Sequence, residues 1–144
     1  MKMFKWILLL TCTFFSTVTF AAVDIDLACK EKKEQKMSLF PKMSTSLIEA
    51  NLAGQCTGYH SYSRIDVTLA CSEFVEQKKS LFTLLSTSLT EANLAGMCVG
   101  AIYRAAERCN ADTTFIDYLS LAEGATSWRD LKRGLGCYGD RYGW

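Results

Sequence analysis

The sequence predicts an all-α fold, a small disulfide-stapled bundle built from helical hairpins, one of them duplicated. Three observations carry that prediction. Residues 27–58 and 69–100 align without a gap at an offset of 42, with 22 of 32 positions identical, so each copy reads as one supersecondary unit. Each copy is bracketed by cysteines 27 residues apart, Cys29 with Cys56 and Cys71 with Cys98. No stretch alternates apolar and polar residues long enough to specify a strand.

The chain opens on an expected export signal over residues 1–21. Lys2 and Lys5 precede the apolar run from Trp6 to Phe20, and Thr19-Phe20-Ala21 offers a small-x-small cleavage site. A mature chain starting at Ala22 follows from that pattern. The run is short for a membrane span and leads into Asp24 and Asp26, so no stable span is expected in the mature chain. Cleavage leaves 123 of the 144 residues, enough for one domain. Removing Lys2 and Lys5 from the 16 basic residues leaves 14 against 15 acidic, a net charge of −1 with His60 neutral. Such a chain has no basic excess to attract nucleic acid or an anionic membrane. Its even charge balance and single proline argue against disorder.

Helices are expected near 24–40, 46–61, 65–84, 88–108, 113–123 and 128–135. Ser46-Leu47-Ile48-Glu49 and Ser88-Leu89-Thr90-Glu91 are capping boxes, in which Ser accepts from the N3 amide and Glu reaches back to the cap. A helix therefore starts after each Ser, and the preceding one ends near Phe40 or Phe82. Cys29 lies 11 residues before Phe40 and Cys56 lies 10 after Ser46. In an antiparallel pair both then sit about 15–16 Å from the turn, using the helical rise. The same spacing sets Cys71 opposite Cys98. An even count of six cysteines in an exported chain points to disulfides. The repeat favours pairing in chain order: Cys29–Cys56, Cys71–Cys98 and Cys109–Cys137, the last 28 residues apart. Zinc sites use close pairs such as Cys-x-x-Cys, which the sequence lacks, so no metal or cofactor is expected.

After Cys109 the apolar run Thr114 to Leu121 reads as a helix with Gly124 at its C-cap. Ser127-Trp128-Arg129-Asp130 then opens a short helix carrying Leu131 and Leu135. The second helix of each copy has small residues four apart, Ala50, Gly54, Gly58 and Ala92, Gly96, Gly100. Glycine costs about 1 kcal/mol in a helix interior, and close helix–helix contact is the expected compensation. The copies differ in character. Phe74, Val75 and Leu84 of the second are matched by Lys32, Lys33 and Lys42 of the first. Residues 22–64 are thus expected to form a more exposed hairpin, and 65–144 the compact unit.

Catalysis is not expected. The sequence holds no nucleophile elbow, phosphate loop or zinc-protease helix. His60, within Tyr59-His60-Ser61-Tyr62, reads as a surface charge at a helix end. Glu31/Glu34 and Glu73/Glu76 have the spacing of solvated ion-pair formers. Contact with a protein is the better expectation, through Tyr138, Arg141, Tyr142 and Trp144 of the tail and through Tyr103, Arg104 and Arg108. Tyr, Trp and Arg dominate interface hot spots.

Leu69-Ala70-Cys71-Ser72-Glu73-Phe74, then Met97-Cys98-Val99-Gly100-Ala101-Ile102-Tyr103, then Cys109 and Cys137, resemble the periplasmic immunity proteins of type VI secretion, the Rap/Tai family. The resemblance spans about half the chain. It implies a small helical fold with two disulfides, commonly a homodimer, with Cys71, Cys98, Cys109 and Cys137 as disulfide cysteines and Gly100 as a packing position. It further implies a periplasmic protein that binds and blocks a secreted, peptidoglycan-cleaving amidase by occlusion. The extra first copy and a third cysteine pair depart from that pattern. An alternative is a periplasmic acid-stress chaperone of the Hde type, since Cys71-Ser72-Glu73-Phe74 is similar to the Cys-acidic-acidic-Phe start of those proteins. Three disulfides would oppose the opening such a chaperone needs. A third reading is a secreted helical binding protein of unknown ligand.

Overall fold

In the computed structural model of the protein, residues 23–37, 46–79 and 87–137 are described. The expected signal at 1–21, the hairpin turns near Phe40 and Phe82, and the tail residues Tyr138, Arg141, Tyr142 and Trp144 lie outside the described residues. The described chain is all helical, with six α-helices and one 3-10 turn. These are α1 (Ile25–Met37), α2 (Leu47–Ser61), α3 (Val67–Lys79), α4 (Leu89–Arg108), the turn Thr113–Phe115, α5 (Tyr118–Ala122) and α6 (Trp128–Gly134).

Local chemistry sets the starts. Ser46 accepts from the Glu49 amide at the head of α2. Ser88 does the same from Glu91 at the head of α4, and the Glu91 carboxylate accepts from the Ser88 amide at 2.6 Å, completing the capping box. Asp24 and Asp66 occupy matched positions before α1 and α3 and accept from the Leu27 and Leu69 amides, each at 3.0 Å.

Two helix ends carry a pattern the sequence reading did not anticipate. Past α4, the Asn110 amide donates to the Glu107 carbonyl at 3.1 Å and the Ala111 amide to Ala106 at 2.9 Å. Past α6, Gly136 donates to Arg133 and Cys137 to Lys132, both at 3.0 Å. Each is a Schellman closure, with the C′ residue left-handed: Asn110 at φ 51° and Gly136 at φ 75°. Left-handed backbone costs an ordinary side chain about 1–2 kcal/mol, and Asn pays less of it. Asn110→Ala is therefore expected to lower stability by about 1 kcal/mol and Asn110→Gly to hold or raise it, read by urea denaturation.

The single helix expected over 113–123 is instead a 3-10 turn and the short α5. Asp112 accepts from the Thr114 amide and Asp117 from the Ser120 amide. Two N-caps five residues apart restart the helix, and Ile116 between them is extended at φ −71°, ψ 125°. Short Asp side chains compete with the helical ladder in this way.

Disulfides join Cys29 to Cys56, Cys71 to Cys98 and Cys109 to Cys137, with Cα–Cα separations of 4.9, 4.9 and 5.7 Å. The first two staple the hairpins α1–α2 and α3–α4. The third links the C-cap of α4 to Cys137, three residues past the end of α6, so the C-terminal helices fold back against α4.

The most extensive contact among the described helices is between α2 and α4, the second helices of the two copies. It is related to itself by a local two-fold axis. The Asn51 side chain donates to the Ala92 carbonyl at 3.2 Å, and its repeat partner Asn93 donates to the Ala50 carbonyl at 3.0 Å. A Cβ on Gly54 would overlap the Asn93 carbonyl oxygen and one on Gly96 that of Asn51. A Cβ on Gly58 would overlap the Met97 carbonyl oxygen and one on Gly100 that of Gln55. The small-residue stripes thus serve backbone-to-backbone approach, the use for which glycine is kept in a helix.

The buried core sits on the second copy. Val67, Ala70, Cys71 and Phe74 of α3 meet Ala95, Cys98, Val99, Ala101, Ile102 and Ala105 of α4, closed below by Ala122, Ala125 and Leu131. The first copy buries smaller groups: Ala28, Ala50, Ala53 and Cys56, with Gly54 and Gly58. At the positions of Phe74 and Val99 it has Lys32 and Thr57, and the Lys32 ammonium donates to the Thr57 hydroxyl at 2.9 Å. A polar pair stands in the first copy where the second has an apolar one, and among the described residues no C-terminal helix packs against it. Partial burial, then Lys36, holds the Lys32 amine below the ordinary lysine range.

Candidate protein-contact surface

The carboxyl halves of α2 and α4 leave the glycine contact side by side and carry large polar aromatic residues. Gly100 lets the α2 backbone at Gln55 and Tyr59 lie against α4. From that position the Tyr59 phenol crosses to α4 and donates to the Glu107 carboxylate at 2.6 Å. Arg104, one turn before Glu107, donates to the Tyr59 oxygen at 3.0 Å and to the same carboxylate at 3.3 Å. Its guanidinium carbon stands 4.8 Å from the Tyr59 ring centre. The bond to Glu107, then burial, pushes the Tyr59 phenol above the usual tyrosine range, so it stays a donor. Tyr103 lies 6.1 Å from the Tyr59 ring and the His60 imidazole meets that ring edge-on at 4.9 Å.

A second cluster adjoins the α2–α3 connection. Tyr62 stacks on Trp128 at 4.2 Å, and the Arg108 guanidinium lies 5.1 Å over the Tyr62 ring. The Thr68 hydroxyl donates to the Thr126 carbonyl at 3.2 Å, tying α3 to the head of α6. There Asp130 accepts from the Ser127 and Thr126 hydroxyls, each at 2.8 Å. These bonds, Ser127 first, hold its carboxyl below the ordinary carboxylate range. Beside Tyr103, burial pushes the Tyr118 phenol up to about 12, with Tyr103 adding to it. Phe115, on the 3-10 turn, is 84% exposed.

Of the contact residues expected from sequence, Tyr103 and Arg104 are half-buried and Arg108 is exposed on α4. Tyr103 and Arg104 join the Tyr59 network and Arg108 joins the Tyr62 stack. The tail departs from Cys137, which the third disulfide fixes to the end of the same helix. Sequence reading missed Tyr59, Tyr62, Glu107 and Trp128. The available signal was positional: identity between the copies stops at Gly58 and Gly100, and the residues that follow each one build this surface. His60 is exposed in the last turn of α2, where its sequence placed it.

The arrangement is suited to recognition. Aromatic faces and guanidinium groups are held in place by bonds to one another, which lowers the ordering cost of binding. The described helices include none long and apolar enough to cross a membrane. Three disulfides fit a chain that folds outside the reducing cytoplasm. The chain matches no protein-family model, no curated protein and no solved structure.

Proposed function

We propose that the protein is a periplasmic immunity protein that binds an exported, amidase-type cell-wall hydrolase and blocks it by occlusion. The observation that carries this reading is the braced Tyr59–Arg104–Glu107 network beside the Tyr62–Trp128–Arg108 stack. Hot-spot residue types stand on a disulfide-stapled frame, and the sequence that follows Cys137 adds Tyr138, Arg141, Tyr142 and Trp144. A blocker needs no chemistry of its own. It needs a preformed surface that loses little freedom when it seats on an active cleft. Exposed Phe115 and Arg108 would supply the first contacts. The mature chain could act alone or as a homodimer.

The test is capture with the oxidised mature chain, followed by identification of what it retains. One stoichiometric hydrolase whose activity falls on binding is the expected result. Many unrelated clients held only at acidic pH would instead favour the chaperone reading. Arg108→Ala and Trp128→Ala are each expected to weaken the complex by at least about 2 kcal/mol, or roughly 30-fold in Kd, measured by calorimetry. Lys36→Ala, in the last turn of α1 at the opposite end of that hairpin, beside the head of α2, should leave it unchanged.

A further inference from the structure

We propose that the Cys29–Cys56 bond is selectively reducible and that its two thiols, together with His60, then form a three-ligand zinc site. Cys56 and His60 are four residues apart on α2, one turn along one face, the spacing at which a helix presents two ligands to a single metal ion. Cys29 faces them across the hairpin. The two sulfurs and an imidazole nitrogen lie within 4.8 Å of one another. Zinc bonds of about 2.0–2.3 Å in a tetrahedron require such atoms to stand roughly 3–4 Å apart. Opening the sulfur bridge and rotating one imidazole would supply that geometry without moving a helix. The edge of the His60 ring already rests on Tyr59, which restrains it.

The second copy acts as an internal control. Its disulfide has the same separation and the same Cα distance, but Cys71 and Cys98 are 1% and 0% exposed. Ile102, fully buried, stands in the register of His60. Cys56 is buried at 5% exposure, but Cys29 is only half-buried and His60 is exposed, so a reductant can reach the first bond through the Cys29 sulfur and has no such approach to the second. The chemistry balances simply. A dithiol reductant delivers two electrons and two protons, closing to its own disulfide as Cys29 and Cys56 become thiols. Zinc binding releases both thiol protons to solvent and takes neutral imidazole as the third ligand. Water or a carboxylate of a partner can take the fourth position.

The test uses the full mature chain. Limited dithiothreitol followed by alkylation and peptide mapping should label Cys29 and Cys56 well before the other four cysteines. The partly reduced protein, titrated with zinc against a competing chelator, should take one equivalent, and cobalt in its place should show a thiolate charge-transfer band. His60→Ile, which copies the second repeat, should lower zinc affinity at least tenfold while leaving the oxidised fold unchanged. The Cys29→Ser/Cys56→Ser variant should keep the helical signal of the parent, showing that the first hairpin holds its shape with the bond open. Early labelling of Cys71 and Cys98, zinc affinity indifferent to His60, or loss of helix in the serine variant would each overturn the proposal.

Discussion

Alanine at Gly58 or Gly100 is expected to cost about 3 kcal/mol, although alanine is the better helix former. In an exposed helix the exchange would gain roughly 1 kcal/mol. Here the new methyl meets backbone. At Gly100 it would overlap the Gln55 carbonyl oxygen and approach the Tyr59 nitrogen to 2.9 Å; at Gly58 it would overlap the Met97 carbonyl oxygen and approach the Met97 Cα to 2.9 Å. A flexible side chain can swing aside, but a carbonyl moves only with its helix. Overpacking of this kind costs about 1–3 kcal/mol and sometimes more, and the clash repeats along both helices. The double variant should cost less than the sum of the two, because once α2 and α4 have parted the second methyl meets less. Gly124 separates the causes. It has φ 76° and nothing near its missing Cβ, so Gly124→Ala should cost only the left-handed term of about 1–2 kcal/mol. Chemical denaturation of the four variants checks the ranking, and equal losses at Gly58, Gly100 and Gly124 would contradict it.

Removal of the Cys71–Cys98 bond as a pair of alanines is the second large expected effect. Each repeat disulfide closes a span of 27 residues, for which loop entropy predicts about 3.5 kcal/mol. Equal loops make equal entropic terms, so any difference between the copies reports on the native state. Cys71 and Cys98 lie inside the main core with Ile102 and Phe74, and deleting their sulfurs opens a cavity there. Cys29 borders solvent, and the gap left at the first bond can fill with water. Cys71→Ala/Cys98→Ala is thus expected to lose roughly 1 kcal/mol more than Cys29→Ala/Cys56→Ala, visible as a lower midpoint in guanidinium and a lower Tm. A larger loss for the first pair would place the weight of the core on the wrong copy.

Much of this architecture was written into local sequence. Capping serines, the matched cysteine spacing and the glycine stripes each name a short-range physical need, and each can be read without knowing what lies across the space. The α5 region was less legible because Asp112 and Asp117 look like ordinary polar residues in an apolar run. Only the competition between their side chains and the backbone ladder breaks the helix. The site was legible in part. Tyr103, Arg104 and Arg108 announce themselves by residue type. Tyr59 and Glu107 are 48 positions apart, and their pairing depends on how closely α2 and α4 approach, a tertiary quantity. The unlike residues of the two copies also acquire a reason only in three dimensions. Phe74 and Val99 lie where the C-terminal helices cover the hairpin, whereas the partly buried Lys32 and Thr57 occupy the matching place, against which none of the described C-terminal helices packs.

The two-fold contact between α2 and α4 is what a symmetric homodimer would present, carried within one polypeptide. A dimer of separate hairpins falls apart on dilution, because its halves must find each other at the prevailing protein concentration. Joined by the short stretch from Tyr62 to Asp66, they meet at the millimolar local concentration of a tether, so a single molecule released into a large volume keeps its partner. Linkage also ends a genetic constraint. One gene encoding both halves of a true dimer must change them together, whereas here each half has its own codons and has been free to become something the other is not.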